Sequence, residues 1–494
     1  MTATMRLGFT KPSTSLVNNI YLPRYYDPQL GERLERLGET HRLETLGSLI
    51  DAGHVTVHYG HDIGKHTYGQ GRIPYVRTSD IATWEIVSAP KQTVGVDTYE
   101  IYAAKQDVRA GDIFFIRDGL YLIGRVAMVT EADLPLIHQS HLIRLRVADS
   151  SPVPRGALLA ALSTPVVLRQ VRGKQFTAGI IDKIENRYRE LVLPLPRTDA
   201  EVTDLADRVE GLVHRRVELR ERLKTLPPKA QGLNDEVTRE AAAPALESAR
   251  LGYTLRSTEV LSKIFIPKYY NPGIRETLEK MAGEYEMRTI GELEERGVLS
   301  LSTGIEVGKL AYGTGDVPFV RTSDLANWEL AGQPKQRVSL ELYESFRKRV
   351  DLSPDDILLV RDGTYLIGTS AILTKADAQA LYAGGIYRIR SLKPEELDPY
   401  LLLVLLNTAI VNQQIRAKQF TRDIIDTLGR RLLEVVLPIP RSPALATALA
   451  EEARRTVEER IHLRDQAKEL VLDLEGPIPP ADEEELELTA QLAV

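Results

Sequence analysis

The stretch IPYVRTSDIATWE, Ile73–Glu85, returns as VPFVRTSDLANWE at Val317–Glu329, and 317 − 73 = 244. The same offset carries IYLPRYYDP at Ile20–Pro28 to IFIPKYYNP at Ile264–Pro272, and RDGLYLIG at Arg117–Gly124 to RDGTYLIG at Arg361–Gly368. It also carries KQFTAGIID at Lys174–Asp182 to KQFTRDIID at Lys418–Asp426, LVLPLPR at Leu191–Arg197 to VVLPIPR at Val435–Arg441, and RLGFT at Arg6–Thr10 to RLGYT at Arg250–Thr254. A single offset with no insertion between blocks means that one whole folding unit is written twice. The 494 residues are too many for one small core and divide along this repeat.

Within a unit the periodicity changes along the chain. After the Pro-Tyr-Tyr block, Gln29–Leu37 predicts a short helix and Leu43–Ile50 a second element after a turn. Ile73–Val76, Asp112–Arg117, Leu120–Val129 and Leu142–Val147 are rich in Ile, Val, Phe and Tyr and predict strands. A helical run follows at Gly156–Arg172, with its counterpart at Tyr400–Arg416. Next comes a strand into Leu-Pro-Leu-Pro, where proline forbids continuation. The fold class is therefore α+β: two tandem mixed α/β domains related by internal duplication, each followed by a long helix.

In the helix after the first Leu-Pro block, Val202, Leu205, Val209, Leu212, Arg216, Leu219, Leu223 and Leu226 form a heptad seam. Its equivalents are Ala446, Leu449, Ala453, Thr456, Arg460, Leu463, Ala467 and Leu470. Large residues in one helix and small ones in the other suit close packing of the two, as an antiparallel coiled coil. The candidate pairing residues are Val202, Leu205, Val209, Leu212, Leu219, Leu223, Leu449, Leu463 and Leu470. The competing arrangement is each helix packed on its own domain. Arg216 and Arg460 share one seam position and need partners if buried, for which the adjacent Glu218 and Glu458 are expected. As one helix, Asp199–Leu226 would span about 42 Å at ~1.5 Å per residue, or roughly 12 base pairs at ~3.4 Å each.

Composition narrows the chemistry. There are no cysteines, which excludes disulfides, thiolate metal sites and cysteine nucleophiles. No run approaches the ~20 apolar residues that span a bilayer, and the opening MTATMRLGFTKPSTS lacks a signal-peptide core. A cytoplasmic setting with no membrane partner is the expectation. GHDIGKH at Gly60–His66 has the wrong spacing for a phosphate loop, and its repeat GIEVGKL ends in Leu310. There is no His-Glu-x-x-His, no Gly-x-Ser-x-Gly, and no Asn-Pro-Pro or Asp-Pro-Pro before an aromatic, as amino-methyltransferases have. No cofactor and no metal site is expected. Asp112 and Asp118 recur as Asp356 and Asp362, and a metal-dependent nuclease is the enzymatic alternative; Asp118-Gly119 fits a hairpin turn better.

The net charge of 63 − 69 = −6 speaks against a polyanion-coated protein. Seven of the acids fall in Val471–Val494, which has no Lys or Arg, so the rest of the chain carries −6 + 7 = +1. Arg and Lys neutralise phosphates, while Arg, Gln, Asn and His read base edges. The candidate DNA-binding residues are Lys65, His66, Tyr68, Gln70, Arg72, Arg77, Arg117, Lys174 and Gln175 in the first unit. In the second they are Lys309, Tyr312, Arg321, Arg361, Lys418, Gln419 and Arg422. Residues alike in both copies suit scaffold or backbone contacts; residues that differ suit different recognition. Two windows differ inside the same loop: Gly60–Arg72 against Gly304–Asp316, and His138–His141 against Tyr382–Gly385. Drift of solvent loops accounts for the divergence equally well.

These blocks, in this order and twice over, resemble the DNA-specificity subunit of Type I restriction–modification systems. The resemblance rests on IPYVRTSDI and VPFVRTSDL, GDIFFIRDG and DDILLVRDG, the Gln-Phe-Thr blocks, and Leu-Pro-Leu-Pro before a heptad helix. It implies target-recognition domains at 1–198 and 250–442, spacer helices at 199–226 and 443–475, a linker at 227–249 and an acidic tail at 476–494. It further implies a noncatalytic reader of a bipartite double-stranded DNA target, DNA adenine methyltransferase subunits as partners, and an ATP-dependent restriction subunit as a further one. The Leu-Pro-Arg-Tyr-Tyr opening is similar also to recognition domains of other methylation-linked phage-defence proteins, so at this point the partner enzyme stays open. A protein-interaction scaffold is the third reading.

Overall fold

The computed structural model describes residues 16, 20–88, 90, 92–119, 122–178, 181–232, 254, 256, 264–330, 336–363, 366–422 and 425–476. The RLGFT block, the RLGYT block save Thr254, the linker beyond 232 and the acidic tail beyond 476 lie outside them.

Each unit is built around a four-stranded antiparallel sheet. In the first the order is Val55–Tyr59, Leu142–Val147, Ile113–Ile116, Val126–Met128; in the second it is Leu299–Thr303, Ile386–Ser391, Ile357–Val360, Ser370–Ile372. Ile113–Ile116 is apolar throughout because both of its faces are covered. Ile113 and Phe115 enter one apolar cluster while Phe114 and Ile116 enter another. The second unit repeats this, with Ile357 and Leu359 on one face and Leu358 and Val360 on the other. A smaller sheet sets Ile73–Val76 between Thr93–Val94 and, in parallel, Ile137–His138. Val192–Leu195 tolerates Pro194 because it pairs on one side alone, with Arg42–Thr45.

Three expectations need correction. The run Gly156–Arg172 is two helices, Arg155–Leu162 and Pro165–Lys174. The extended Thr164 before Pro165 turns the corner, and its hydroxyl donates to Ala161 O at 2.7 Å. The second unit breaks at the same place without a proline, at Thr408, whose hydroxyl donates to Leu405 O at 2.7 Å. Secondly, Asp118-Gly119 is not a hairpin turn but a two-residue strand paired with Ile181–Lys183. Thirdly, the first long helix passes Leu226, through Pro227 and Pro228, to Ala230. Burial of Leu226, Pro227 and Ala230 compensates the hydrogen bonds that the prolines remove. The second long helix runs over Pro443–Glu475.

Each long helix buries residues in the cores of both units. Val202–Val217 share a cluster with the core of the first unit, but also with Ala467, Leu470, Val471 and Leu474 of the second helix. Leu223, Leu226 and Ala230 instead join the core of the second unit, along with Leu449, Ala453, Val457 and Ile461. Each long helix therefore starts on its own unit and ends on the other. Of the nine seam residues, Leu212 and Leu463 are half-buried and the others buried. The close approach of Arg155–Leu162 to the first long helix needs Gly156, where a Cβ would stand 2.3 Å from Ala206 O.

The seam arginines do not pair with Glu218 and Glu458. Arg216 Nη2 lies 2.9 Å from Glu85 Oε1 and 2.6 Å from Glu329 Oε1; Arg460 Nη2 reaches the same two carboxylates, Glu329 at 2.8 Å. Each arginine also donates to the other's backbone, Arg216 Nη1 to Arg460 O at 2.7 Å and Arg460 Nη1 to Arg216 O at 2.6 Å. All four side chains are buried. Glu85 and Glu329 end the two copies of the opening motif, each presented by a tryptophan in the left-handed region, Trp84 at φ 63° and Trp328 at φ 69°. Burial pushes the Glu85 carboxyl up, but the Arg460 and Arg216 guanidiniums outweigh it and hold it down at about 2. Glu218 is exposed and bonds Arg215 at 2.8 Å, because it sits one position off the buried stripe.

Candidate nucleic-acid interface

The two divergent windows, Gly60–Arg72 and His138–His141, meet in space. In the first unit His61 N donates to His138 O at 3.1 Å, and a Cβ on Gly60 would lie 2.2 Å from Gln139 O. In the second, Ile305 N donates to Tyr382 O at 2.9 Å, and a Cβ on Gly304 would lie 2.1 Å from that oxygen. Glycine at both positions lets the loop lie flat against the second window. Ser140 Oγ donates to Asp62 Oδ2 at 2.7 Å, closing the polar surface of the first unit.

Behind this surface the copies differ as a set. Gln106, on the helix Val96–Gln106, gives an amide hydrogen to His138 O at 2.9 Å and accepts from His138 N at 2.8 Å. Its amide also lies 3.2 Å from His61 Nδ1, and the His61 ring stands 5.2 Å from Tyr102. Adding 244 turns Gln106, His61, Tyr102 and His138 into Val350, Ile305, Phe346 and Tyr382. A hydrogen-bonded set is thus exchanged for a mostly apolar one, so the amide of Gln106 and the His61 ring nitrogen that it meets leave the interior together. Burial pushes the His138 imidazole down to about 3, so it is neutral and offers no cation.

Among the candidates, Lys65, His66, Gln70 and Arg72 are exposed, as is Lys309. Lys65–Thr67 and Lys309–Ala311 are single turns of 3₁₀ helix, backed by Tyr68 against Tyr75 at 5.7 Å and Tyr312 against Phe319 at 5.6 Å. Arg77 and Arg321 begin the next turns, each backbone N–H donating at 2.8 Å to the carboxylate of Asp80 or Asp324. The Arg77 guanidinium approaches Gln139 at 3.4 Å, and that of Arg321 lies 6.0 Å from the Tyr312 ring centre.

The repeated basic residues further along are held from inside. Arg117 bonds Asp118 and stands 4.9 Å over the Tyr59 ring; Arg361 does the same with Asp362 and with Tyr387 at 5.5 Å. Lys174 bonds Glu190 at 2.8 Å above the Tyr25 ring, and Lys418 bonds Glu434 at 2.8 Å above Tyr269. Gln175 and Gln419 donate to Asp182 and Asp426 at 3.2 and 3.5 Å. The side chain of Arg422 lies outside the described residues. Sequence reading passed over Gln106, which differs from its counterpart 244 residues on, Val350.

The repeated acids do not converge. Asp112 accepts from Arg146 at 2.7 and 2.8 Å, while Asp118 faces Arg117 and, at 3.4 Å, His141. The strand Ile113–Ile116 separates them, well over 10 Å of extended chain at ~3.3 Å per residue. Among the described residues no group of three or more His, Asp or Glu is placed to hold a metal ion, and no helix is long and apolar enough to cross a membrane.

No family model and no curated protein matches the chain. Among solved structures it is similar to the S subunit of a Type I restriction–modification system from M. genitalium, with 14% identity over 89% of this chain and 96% of that one and a TM-score of 0.33. A structure describing assembly and conformational transition of the type I R-M system matches at 15% identity over 88% and 97%, TM-score 0.27. The HsdS subunit from Thermoanaerobacter tengcongensis matches at 17% identity over 93% and 94%, TM-score 0.23. All three concern Type I restriction–modification systems.

Proposed function

We propose that the chain is a noncatalytic DNA-recognition subunit that reads a bipartite target and directs an adenine methyltransferase to it, with an ATP-dependent restriction subunit joining the complex. The observation that carries this is the meeting of the two divergent windows on one surface in each unit, upon the same scaffold. Two readers of this kind, 1–198 and 250–442, would see two unlike half-sites. Lys65 and Lys309 supply phosphate contacts; His66, Gln70, Arg72 and Gln139 supply base contacts in the first unit.

The long helices are the ruler. Arg222 contacts Glu452 at 3.6 Å and Arg215 contacts Glu459 at 2.7 Å, so the number falls in one helix as it rises in the other. That is an antiparallel pairing, and it holds the readers apart by a spacer of about one turn of DNA. A body near +1 in charge cannot hold DNA tightly by itself, which suits shared phosphate contacts with a basic partner.

Methylome sequencing of cells with and without the gene tests the reading. Loss of one bipartite modified motif is expected, and an unchanged methylome would contradict it.

A further inference from the structure

Resting on that reading, we infer that Leu310 is a specificity-determining residue of the second unit, reading the 5-methyl group of a thymine in its half-site. Leu310 is 95% exposed, more than any other large apolar side chain among the described residues. It sits at the tip of the turn Lys309–Ala311, directly after the exposed Lys309.

The turn does not need this side chain. Thr314 fixes the turn, its hydroxyl donating to Ala311 O at 2.8 Å and accepting from Ser339 N at 3.0 Å. Tyr312 anchors it against Phe319, and Gly304 seats the loop on Tyr382. Nothing lies within 4 Å of where a Cβ on Gly308 would stand. In the first unit the equivalent tip residue, His66, folds back, and a Cβ on Gly64 would meet its ring at 2.3 Å. The same backbone thus lays an exposed polar ring over Gly64 in one copy and holds a branched apolar side chain out to solvent in the other.

Apolar surface held in water gains by being covered. In the major groove the one apolar group that a base pair presents is the thymine methyl, which leucine can cover. Lys309 beside it is placed to take a phosphate, fixing the register. Arg72 in the first unit is replaced by Asp316 here, so the second tip also loses the side chain best suited to guanine.

The test uses the full chain in complex with its methyltransferase and the bipartite motif found by methylome sequencing. Each thymine of the half-site assigned to the second unit is replaced in turn by deoxyuridine, which removes the methyl group alone. At one position binding should weaken roughly four-fold, the loss expected for uncovering one methyl group. The Leu310→Ala complex should bind weaker on the thymine duplex and be indifferent to that replacement. A half-site without thymine, or equal sensitivity in both complexes, overturns the inference while leaving the recognition reading intact. So would a folded Leu310→Ala chain that fails to assemble with the methyltransferase, because the side chain would then serve the partner and not the thymine. Absence of any motif governed by this chain would instead overturn the reading itself.

Discussion

Gln231 and Glu475, 475 − 231 = 244 residues apart, close the two ends of the molecule in the same way. Gln231, just past the first long helix, accepts through Oε1 from Ala409 N of the second unit at 3.0 Å. Glu475, the last residue of the second long helix, accepts through Oε1 from Val166 N of the first. Each helix end thus satisfies an orphan N–H at the start of a helix in the opposite unit. The two closures are not interchangeable, because Glu475 also pairs with the buried Arg33, whose counterpart is Thr277. Thr277 spends its hydroxyl on Gly273 O, and the neutral Gln231 asks for no cation.

This asymmetry predicts a mutation cycle. Glu475→Gln should destabilise the protein by about 3 kcal/mol, because it leaves the Arg33 guanidinium buried without its anion. Adding Arg33→Thr reproduces the Thr277–Gln231 closure and should recover most of the loss. Chemical denaturation of the three variants measures the coupling. Simple additivity of the two changes would show that the pair does not act as one unit.

Acid stability follows from the cluster at the middle of the long helices. An unfolded Glu85 takes up a proton at its ordinary value near 4.5, whereas the folded carboxyl is held at about 2 by Arg460 and Arg216. A group depressed in this way stabilises fully above its unfolded value and loses that contribution as pH falls toward the folded one. Stability should therefore fall between pH 4.5 and 2. Glu85→Gln should be less stable at neutral pH by on the order of 3 kcal/mol, with a flatter profile across that window. Thermal denaturation against pH reads both, and an unchanged slope in the variant would remove Glu85 from the account.

Much of this architecture is legible from the repeat. The offset of 244 gives two equal units, and IFFI and ILLV read as strands. The partners of Arg216 were not legible by proximity. Glu218 lies two residues away but on the exposed face, whereas Glu85 lies 131 residues away and is brought in by the Trp84 turn. A usable signal was present: a Trp-Glu pair and a seam arginine are each retained in both copies. The acid partners of the basic candidates Arg117 and Lys174 follow from the repeat in a related way. Each repeats together with an acid, Asp118 or Glu190, and in the fold those acids bind them. A base repeated together with its acid marks these internal pairs, whereas the repeated Lys65 and Lys309 stand exposed.

The polar set behind the first surface must be exchanged as a group. Gln106→Val alone strands the buried His138 N–H and leaves its carbonyl with the His61 N–H alone, and should cost about 1–3 kcal/mol. Changing His61, Tyr102, Gln106 and His138 together to Ile, Phe, Val and Tyr should cost less than that single change. Grafting residues 305–316 over 61–72 in this background should alter one half-site of the methylated motif and leave the other as it was. A change in both half-sites would contradict independent readers.

The helix pair makes the distance between half-sites adjustable. The first long helix has 32 residues, about 48 Å at ~1.5 Å per residue, and its contacts with the second recur across the seam. One heptad inserted after Val209 lies opposite the segment between Arg460 and Ala467, so a matching heptad belongs there to restore the pairing. Seven residues add about 10 Å, or roughly three base pairs of spacer. The motif methylated by the doubly extended chain should keep both half-sites and lengthen its unread middle by that amount. A single insertion should instead break the mutual Arg216–Arg460 bonds and lower stability, because the two arginines no longer face one another. An unchanged spacer in a stably folded double insertion would mean that something other than these helices sets the separation.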